Sequence, residues 1–445
     1  MNDLRNDKVG KLLVNLATPA IIAQLVNVLY NIVDRIFIGR MDQGEIAMAG
    51  IGVTFPIILL VSAFSALFGM GGAPLCAIQM GAGNLKKAEQ IMTTGFSMLI
   101  VSGITLTLFF SFFCEPLLWL FGASDVTIFY ALDYLRIYIM GTIFVQIALG
   151  MNPFINTQGF AKIGMTTVVI GAVINLILDP ILIFGLDMGV KGAATATVIA
   201  QSVSALWVIR FLTGKKSKLN LRKQYLIPSL KIVKNIVLLG ISPFIMQSTE
   251  SLVLVSLNTQ LVRYGGDISV GAMAIVTSIM QIISLPLRGL AEGAQPIVSF
   301  NYGAAQFDRV RHAIKLALRN GLIYNIVFCA VLMIYPAWFV RIFNSNTELV
   351  AVTSRFIRIY FIGITIFGAQ IICQQMFVAL GQAKVSIFIA ILRKIILLVP
   401  LIYILPLFFE NKVTGILVAE PVSDILSVAT TLTLFGIFYR KKLKV

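Results

Sequence analysis

YLRIYIMG at residues 134–141 returns as FIRIYFIG at 356–363, an offset of 222 residues. The same offset carries Pro74 onto Pro296, Gly81-Ala82 onto Gly303-Ala304, and Gly159-x-Ala161-Lys162 onto Gly381-x-Ala383-Lys384. A register held without a gap from Pro74 to Lys162 marks an internal repeat, even in a chain of biased composition. With 58% hydrophobic residues and a mean hydropathy of +0.93, the repeated unit belongs in lipid.

Only 12% of the residues are charged, against roughly 25% in a soluble domain. Apolar runs long enough to cross ~30 Å of hydrocarbon recur along the whole chain. The expected spans are 12–38, 46–72, 91–113, 130–152, 163–186, 190–213, 233–262, 271–297, 313–336, 355–379, 385–408 and 415–438. The first follows a polar decapeptide with no small-residue cleavage pattern, so it reads as retained rather than as a signal peptide. The fold class is therefore an all-α polytopic membrane protein. It has 12 transmembrane helices in two six-helix bundles related by pseudo-two-fold symmetry.

The formal charge of +16 is explained by where the cations lie. Numbering loops from a cytoplasmic amino terminus puts 23 of the 35 Lys and Arg on the inner side. They include Arg5, Lys8 and Lys11, eight in or beside the segment 214–232, and Arg440, Lys441, Lys442 and Lys444 at the tail. This is the positive-inside pattern, with both termini cytoplasmic. It points to anionic headgroups rather than nucleic acid. Cys76, Cys114, Cys329 and Cys373 sit far apart in or near apolar spans and read as packing residues, without disulfide or zinc spacing. The single histidine, His312, lies in a basic loop, and no HExxH, GxSxG or Walker-type loop is present, so enzyme chemistry has little to stand on.

Six helices per half make the repeats parallel, with residues 1–213 as a first lobe, 214–232 as a polar linker and 233–445 as a second lobe. Two such bundles facing each other across a cavity are a common architecture of secondary transporters. The glycine- and proline-rich segments GMGGAPLCAIQMGAGNLKKAEQ and GLAEGAQPIVSFNYGAAQFDRV lie at matching ends of helices 2 and 8. They read first as close helix packing followed by a turn.

Within the second of these, AEGAQPIVSFNYGA resembles the signature of the MATE family of multidrug and toxic-compound extrusion transporters. Pro19, Asp34, NLILDP at 175–180, SPFIMQSTES at 242–251 and the paired GxAK turns agree, over about residues 8–440. The bacterial multidrug efflux members are the most similar. The resemblance implies an antiporter that exports bulky, often cationic compounds by alternating access, driven by H⁺ or Na⁺ and needing no cofactor. It implies small organic cations as partners, a monomer, and a multi-pass protein of the bacterial inner membrane. A lipid-linked oligosaccharide flippase of the same broad superfamily is the alternative.

A carboxylate near the centre of a span costs ~2.5–3.5 kcal/mol, so each one needs a reason. Asp34 lies near the outer end of helix 1, either paired with Arg35 or as a cation ligand. Asn175 and Asp179, four residues apart, project from one helix face. They match positions that, with the helix-1 acid, form a proton or sodium site in some family members, and Thr197 falls where a neighbouring hydroxyl would lie. Two carboxylates in a dry pocket cannot both ionise cheaply, so a proton or Na⁺ at Asp34 and Asp179 would relieve them. Glu250 matches the second-lobe glutamate of sodium-coupled relatives, but helix 10 supplies no acid to partner it. Its expected roles are contact with cationic substrate or with Gln247. Glu292 has the spacing for an ion pair with Arg288, or else faces the cavity. Arg136 and Arg358 occupy equivalent places as interfacial anchors. Tyr30, Phe55, Met246 and Met280 are candidates for adaptable cavity walls.

Overall fold

With no water in hydrocarbon to satisfy peptide groups, a chain of this hydropathy closes its hydrogen bonds within helices. The computed structural model describes residues 2–344 and 346–443, nearly all of them helical. The helices are α1 (Val9–Gly39), α2 (Gly44–Gly81), α3 (Leu85–Leu120), α4 (Thr127–Met140), α5 (Thr142–Thr157), α6 (Ala161–Pro180) and α7 (Gly189–Thr213). Then follow α8 (Leu230–Gly303), α9 (Phe307–Ile334), α10 (Pro336–Arg341), α11 (Thr347–Ala379), α12 (Ala383–Ile391), α13 (Val399–Ile404) and α14 (Lys412–Phe438).

These make twelve crossings. The pair α4 and α5 is one crossing bent by 60° at Gly141. At 1.5 Å per residue, α8 would be roughly 110 Å long, far more than one bilayer. It breaks at Gly266, whose φ of 64° and ψ of −171° are open only to glycine, so 230–265 and 267–303 cross separately. A π turn at Leu392–Leu398 joins α12 to α13 within one crossing, and α10 is a six-residue connector. Several helices outrun the expected spans. The glycine-rich stretch of α2 stays helical to Gly81, and α3 reaches Leu120. Both GxAK turns place their glycine in the left-handed region, Gly159 at φ 90° and Gly381 at φ 70°, where a side chain would be strained. All four cysteines are buried and free. Lys444, counted above among the inner-side cations, lies outside the described residues.

The two bundles meet at the end that carries the termini. A Cβ on Gly81 would lie 1.9 Å from the Phe300 carbonyl oxygen, and one on Gly303 would lie 1.9 Å from that of Ile78. These two contacts exchange under the repeat offset. Gly293 and Gly289 similarly press on Ala17 and Ile21 of α1, while Gly71 and Gly240 meet through Leu67 and Ile236. Leu12, Leu13 and Leu16 of α1 are buried with Val298, Cys373 and Phe377 of the second bundle. Among the described residues, every hydrogen bond joining the first six crossings to the last six lies between that end and the Gln24–Glu292 pair. The molecule is thus closed at the terminal end.

A strap and a clamp complete that end. The Leu4 carbonyl accepts from Asn301 Nδ2 (3.0 Å) and Arg309 Nη2 (3.1 Å), the same guanidinium reaches the Asp7 carbonyl at 2.7 Å, and Asn2 donates to the Gly159 carbonyl. The amino-terminal residues therefore touch both bundles. Residues 214–229 between α7 and α8 are fastened mostly to the first bundle. Gln158 Oε1 accepts from Ser217 Oγ and from the Lys218 and Leu219 amides at 2.9–3.0 Å. Glu89 accepts from the Asn220 amide and pairs with Arg222 at 3.0 Å, and Ser97 donates to the Leu226 carbonyl.

Two outcomes follow. Gly303→Val should wedge the terminal end apart, costing the closed arrangement about 1–3 kcal/mol, roughly a tenfold or larger loss of its population. Maleimide labelling of buried Cys373 should rise accordingly. Gly436→Val, which meets open space, should label like the parent chain. Gln158→Ala strands the Lys218 and Leu219 amides at about 1–3 kcal/mol, and trypsin should then cut between Lys215 and Lys223 markedly faster. An unchanged digestion rate would mean that other contacts hold the segment.

Candidate functional site

The first bundle assembles the expected polar group. Asn175 and Asp179 stand one turn apart on α6, and Asn175 Nδ2 donates to Asp179 Oδ1 at 3.1 Å and to Thr197 Oγ1 of α7 at 3.5 Å. Asp179 is 1% exposed and Asn175 2%. Asp34 of α1 faces Asp179 from across the bundle. Its Oδ1 and the Oδ2 of Asp179 are buried without a hydrogen-bond partner. Arg35 does not pair with Asp34; it is exposed and turns its guanidinium to the Phe55 ring, 5.6 Å from the centroid. Two full charges about 4 Å apart would repel by roughly 4 kcal/mol at an effective dielectric constant of 20. Pro180 and the π turn Ile181–Gly185 follow directly, a distortion common beside functional groups.

Sequence reasoning missed the aromatic wall of this pocket. Tyr134 and Tyr138 of α4 stack at 6.1 Å between ring centroids; Tyr134 faces Asp34, Tyr30 faces both acids, and Tyr138 faces Tyr30. Their signal was present in YLRIYIMG, where two tyrosines four residues apart share a face.

Beside the acids opens a cavity of about 350 Å³. Tyr30, Asn175, Thr197, Gln247 and Glu292 line it, as do Gln24, Asn152, Asn156 and Gln201. It is cut mainly into the first bundle, with α8 as the far wall. Its lining is richer in amides and hydroxyls than the apolar walls expected. Phe55, Met246 and Met280 are not part of it. Phe55 sits under Arg35, Met280 packs on the second bundle's core, and the Met246 carbonyl accepts from Lys394 at 3.0 Å. Glu292 does not form the expected ion pair with Arg288, because Arg288 projects outward and Glu292 Oε1 instead accepts from Gln24 at 3.1 Å. Arg136 lies 3.9 Å from Glu115, both well exposed.

In the second bundle Glu250 does have a charged partner, the Lys394 ammonium, which comes from the π turn Leu392–Leu398. Arg393, next in the chain, is buried and bonds Glu420 Oε1 at 2.7 Å and Asp424 Oδ1 at 2.8 Å. None of Arg393, Lys394, Glu420 and Asp424 was singled out from sequence. Ions of both signs inside consecutive apolar spans, SIFIAILRKIILL and ILVAEPVSDILSV, were the available signal.

The MatE family model matches residues 19–181 and 243–404, one segment in each half of the repeat. Multidrug export protein MepA of Staphylococcus haemolyticus (strain JCSC1435) is 26% identical over 94% of this chain and 92% of its own length. That of Staphylococcus aureus (strain MSSA476) is 25% identical over 93% and 91%. Among solved structures, an outward-facing multidrug resistance MATE family transporter superposes with a TM-score of 0.92 at 22% identity, over 99% of this chain and 98% of that one. A MOP superfamily transporter from Pyrococcus furiosus, with a binding pocket of reversed polarity, gives the same values. Both matched halves, the twelve crossings and the full-length likeness place this chain in the MatE family.

Proposed function

We propose that this protein is a multidrug efflux antiporter that exports bulky organic cations in exchange for H⁺ or Na⁺. The observation that carries the reading is the facing pair Asp34 and Asp179, each with an unpartnered buried oxygen, set behind a polar cavity. In a water-poor site a single bound monovalent cation relieves their repulsion. Asn175 and Thr197 supply further oxygens for Na⁺, and either ion leaves the pair with one net charge. The naming of the relatives as multidrug export proteins supports a substrate range of drug-like compounds. The lining supports contacts to cationic groups through Tyr30, Gln247 and Glu292, with Glu250 as a further acid beyond it.

Alternating access would come from the lobes 1–213 and 233–445 rocking about the 214–232 connection. Its clamped portion travels with the first lobe, leaving residues near 227–229 to bend. Positive-inside counting supports cytoplasmic termini in a bacterial inner membrane, and the arrangement closed at the terminal end is then the outward-open state. One chain contains the whole cavity, so the transporting unit is taken as a monomer.

The experiment is dye flux in liposomes under separate pH and Na⁺ gradients. One gradient should drive export, and Asp34→Asn or Asp179→Asn should cut that flux at least tenfold, or roughly 1.4 kcal/mol, at unchanged expression and thermal stability. Full coupled flux in both variants would refute the mechanism. No flux in the parent chain, with translocation of a lipid-linked oligosaccharide, would establish the flippase reading instead.

A further inference from the structure

The ions of the second bundle do not balance. Arg393, at the start of the π turn, reaches Glu420 and Asp424 through separate nitrogens, and its guanidinium lies 3.9 Å from the Phe367 ring centroid. Its single positive charge can neutralise only one of the two acids. The adjacent cation, Lys394, is spent on Glu250 and on the Met246 carbonyl. Three carboxylates thus share two cations. Arg288 also faces Glu250 and Lys394, but it is exposed and bonds to none of the three acids.

The shortfall has an address. Glu420 is 2% exposed and Asp424 0%, one turn apart on α14. Each gives one oxygen to Arg393, and the other oxygen of each, Glu420 Oε2 and Asp424 Oδ2, is buried with no hydrogen-bond partner. Tyr360 and Glu250 face Glu420 as well. An uncompensated buried carboxylate is costly unless a bound cation or a proton removes its charge. With Arg393 occupying the inner oxygens, too few ligands remain for a metal ion, whereas one proton on a free oxygen closes the balance.

We propose that the Glu420–Asp424 pair is a second proton site, holding one proton on its free carboxylate oxygens in the bundle opposite Asp34 and Asp179. The repeat supports the placement. Tyr360 is the counterpart of Tyr138 at the 222-residue offset; Tyr360 faces Glu420, while Tyr138 stacks on Tyr134, which faces Asp34. The acids themselves are not equivalent, since α7, the last helix of the first bundle, contains no Asp or Glu. Lys394 connects the site to Glu250, whose side chain is 52% exposed.

Infrared difference spectroscopy over a pH titration of the purified full chain reads proton occupancy directly and does not depend on flux. Its failure would therefore leave the transport reading standing. In the Asp34→Asn, Asp179→Asn double variant, a protonated-carboxyl band equal to one proton per chain should persist. Adding Glu420→Gln or Asp424→Asn should remove it. Carbon-13 labelling of glutamate or aspartate carboxyls in the double variant gives the same test without touching the site, because the band must move with one label. The proposal is overturned if the double variant shows no such band, or if the band survives both second-bundle substitutions.

Discussion

The reciprocal contact of Gly81 and Gly303 with the carbonyls of Phe300 and Ile78 governs the rest of the molecule. Lipid gives apolar helices no reason to prefer one another over acyl chains, so association rests on close packing. Only residues without a side chain let α2 and the second half of α8 approach this closely. Because the repeat makes the contact symmetric, it seals the terminal end from both bundles at once. The α1 contacts at Ala17 and Ile21 extend the seal as far as Gln24 and Glu292.

Each bundle then spends its remaining freedom on buried polar groups, in different ways. The first keeps Asp34 and Asp179 without a basic partner, each with one buried oxygen that accepts no hydrogen bond. The second embeds three acids with two fixed cations, so most of its charge is answered within the protein. A buried pair that loses one partner is far costlier than the intact pair. The two equivalent halves have thus diverged in chemistry while keeping one backbone.

Much of this was legible in the chain. The twelve crossings followed from hydropathy because length and polarity constrain a span so tightly. The break at Gly266 fell between two expected spans. Asn175 and Asp179 were recoverable because i, i+4 spacing fixes a shared face, and Thr197 only because it falls at a matching position of the family. What escaped depends on partners distant in sequence. Lys394 gains meaning only beside Glu250, and Arg393 only beside Glu420 and Asp424. The polar connector looked like free linker, since composition cannot reveal that Gln158 and Glu89 grip its backbone. Cavity walls were misjudged for the same reason: aromatic and methionine content says nothing about which side chains face inward.

The amino-terminal strap biases which side of the membrane the resting protein faces. Leu4 is buried, worth about 1.5–3 kcal/mol, and the bonds from Asn301 and Arg309 add about 1 kcal/mol each. The bonds from Asn301 and Arg309 tie the strap to the second bundle, and Asn2 ties it to Gly159 of the first. A bias of about 4 kcal/mol corresponds to roughly a thousandfold preference. A few residues outside every span thus fasten the two bundles together at the terminal end, away from the cavity.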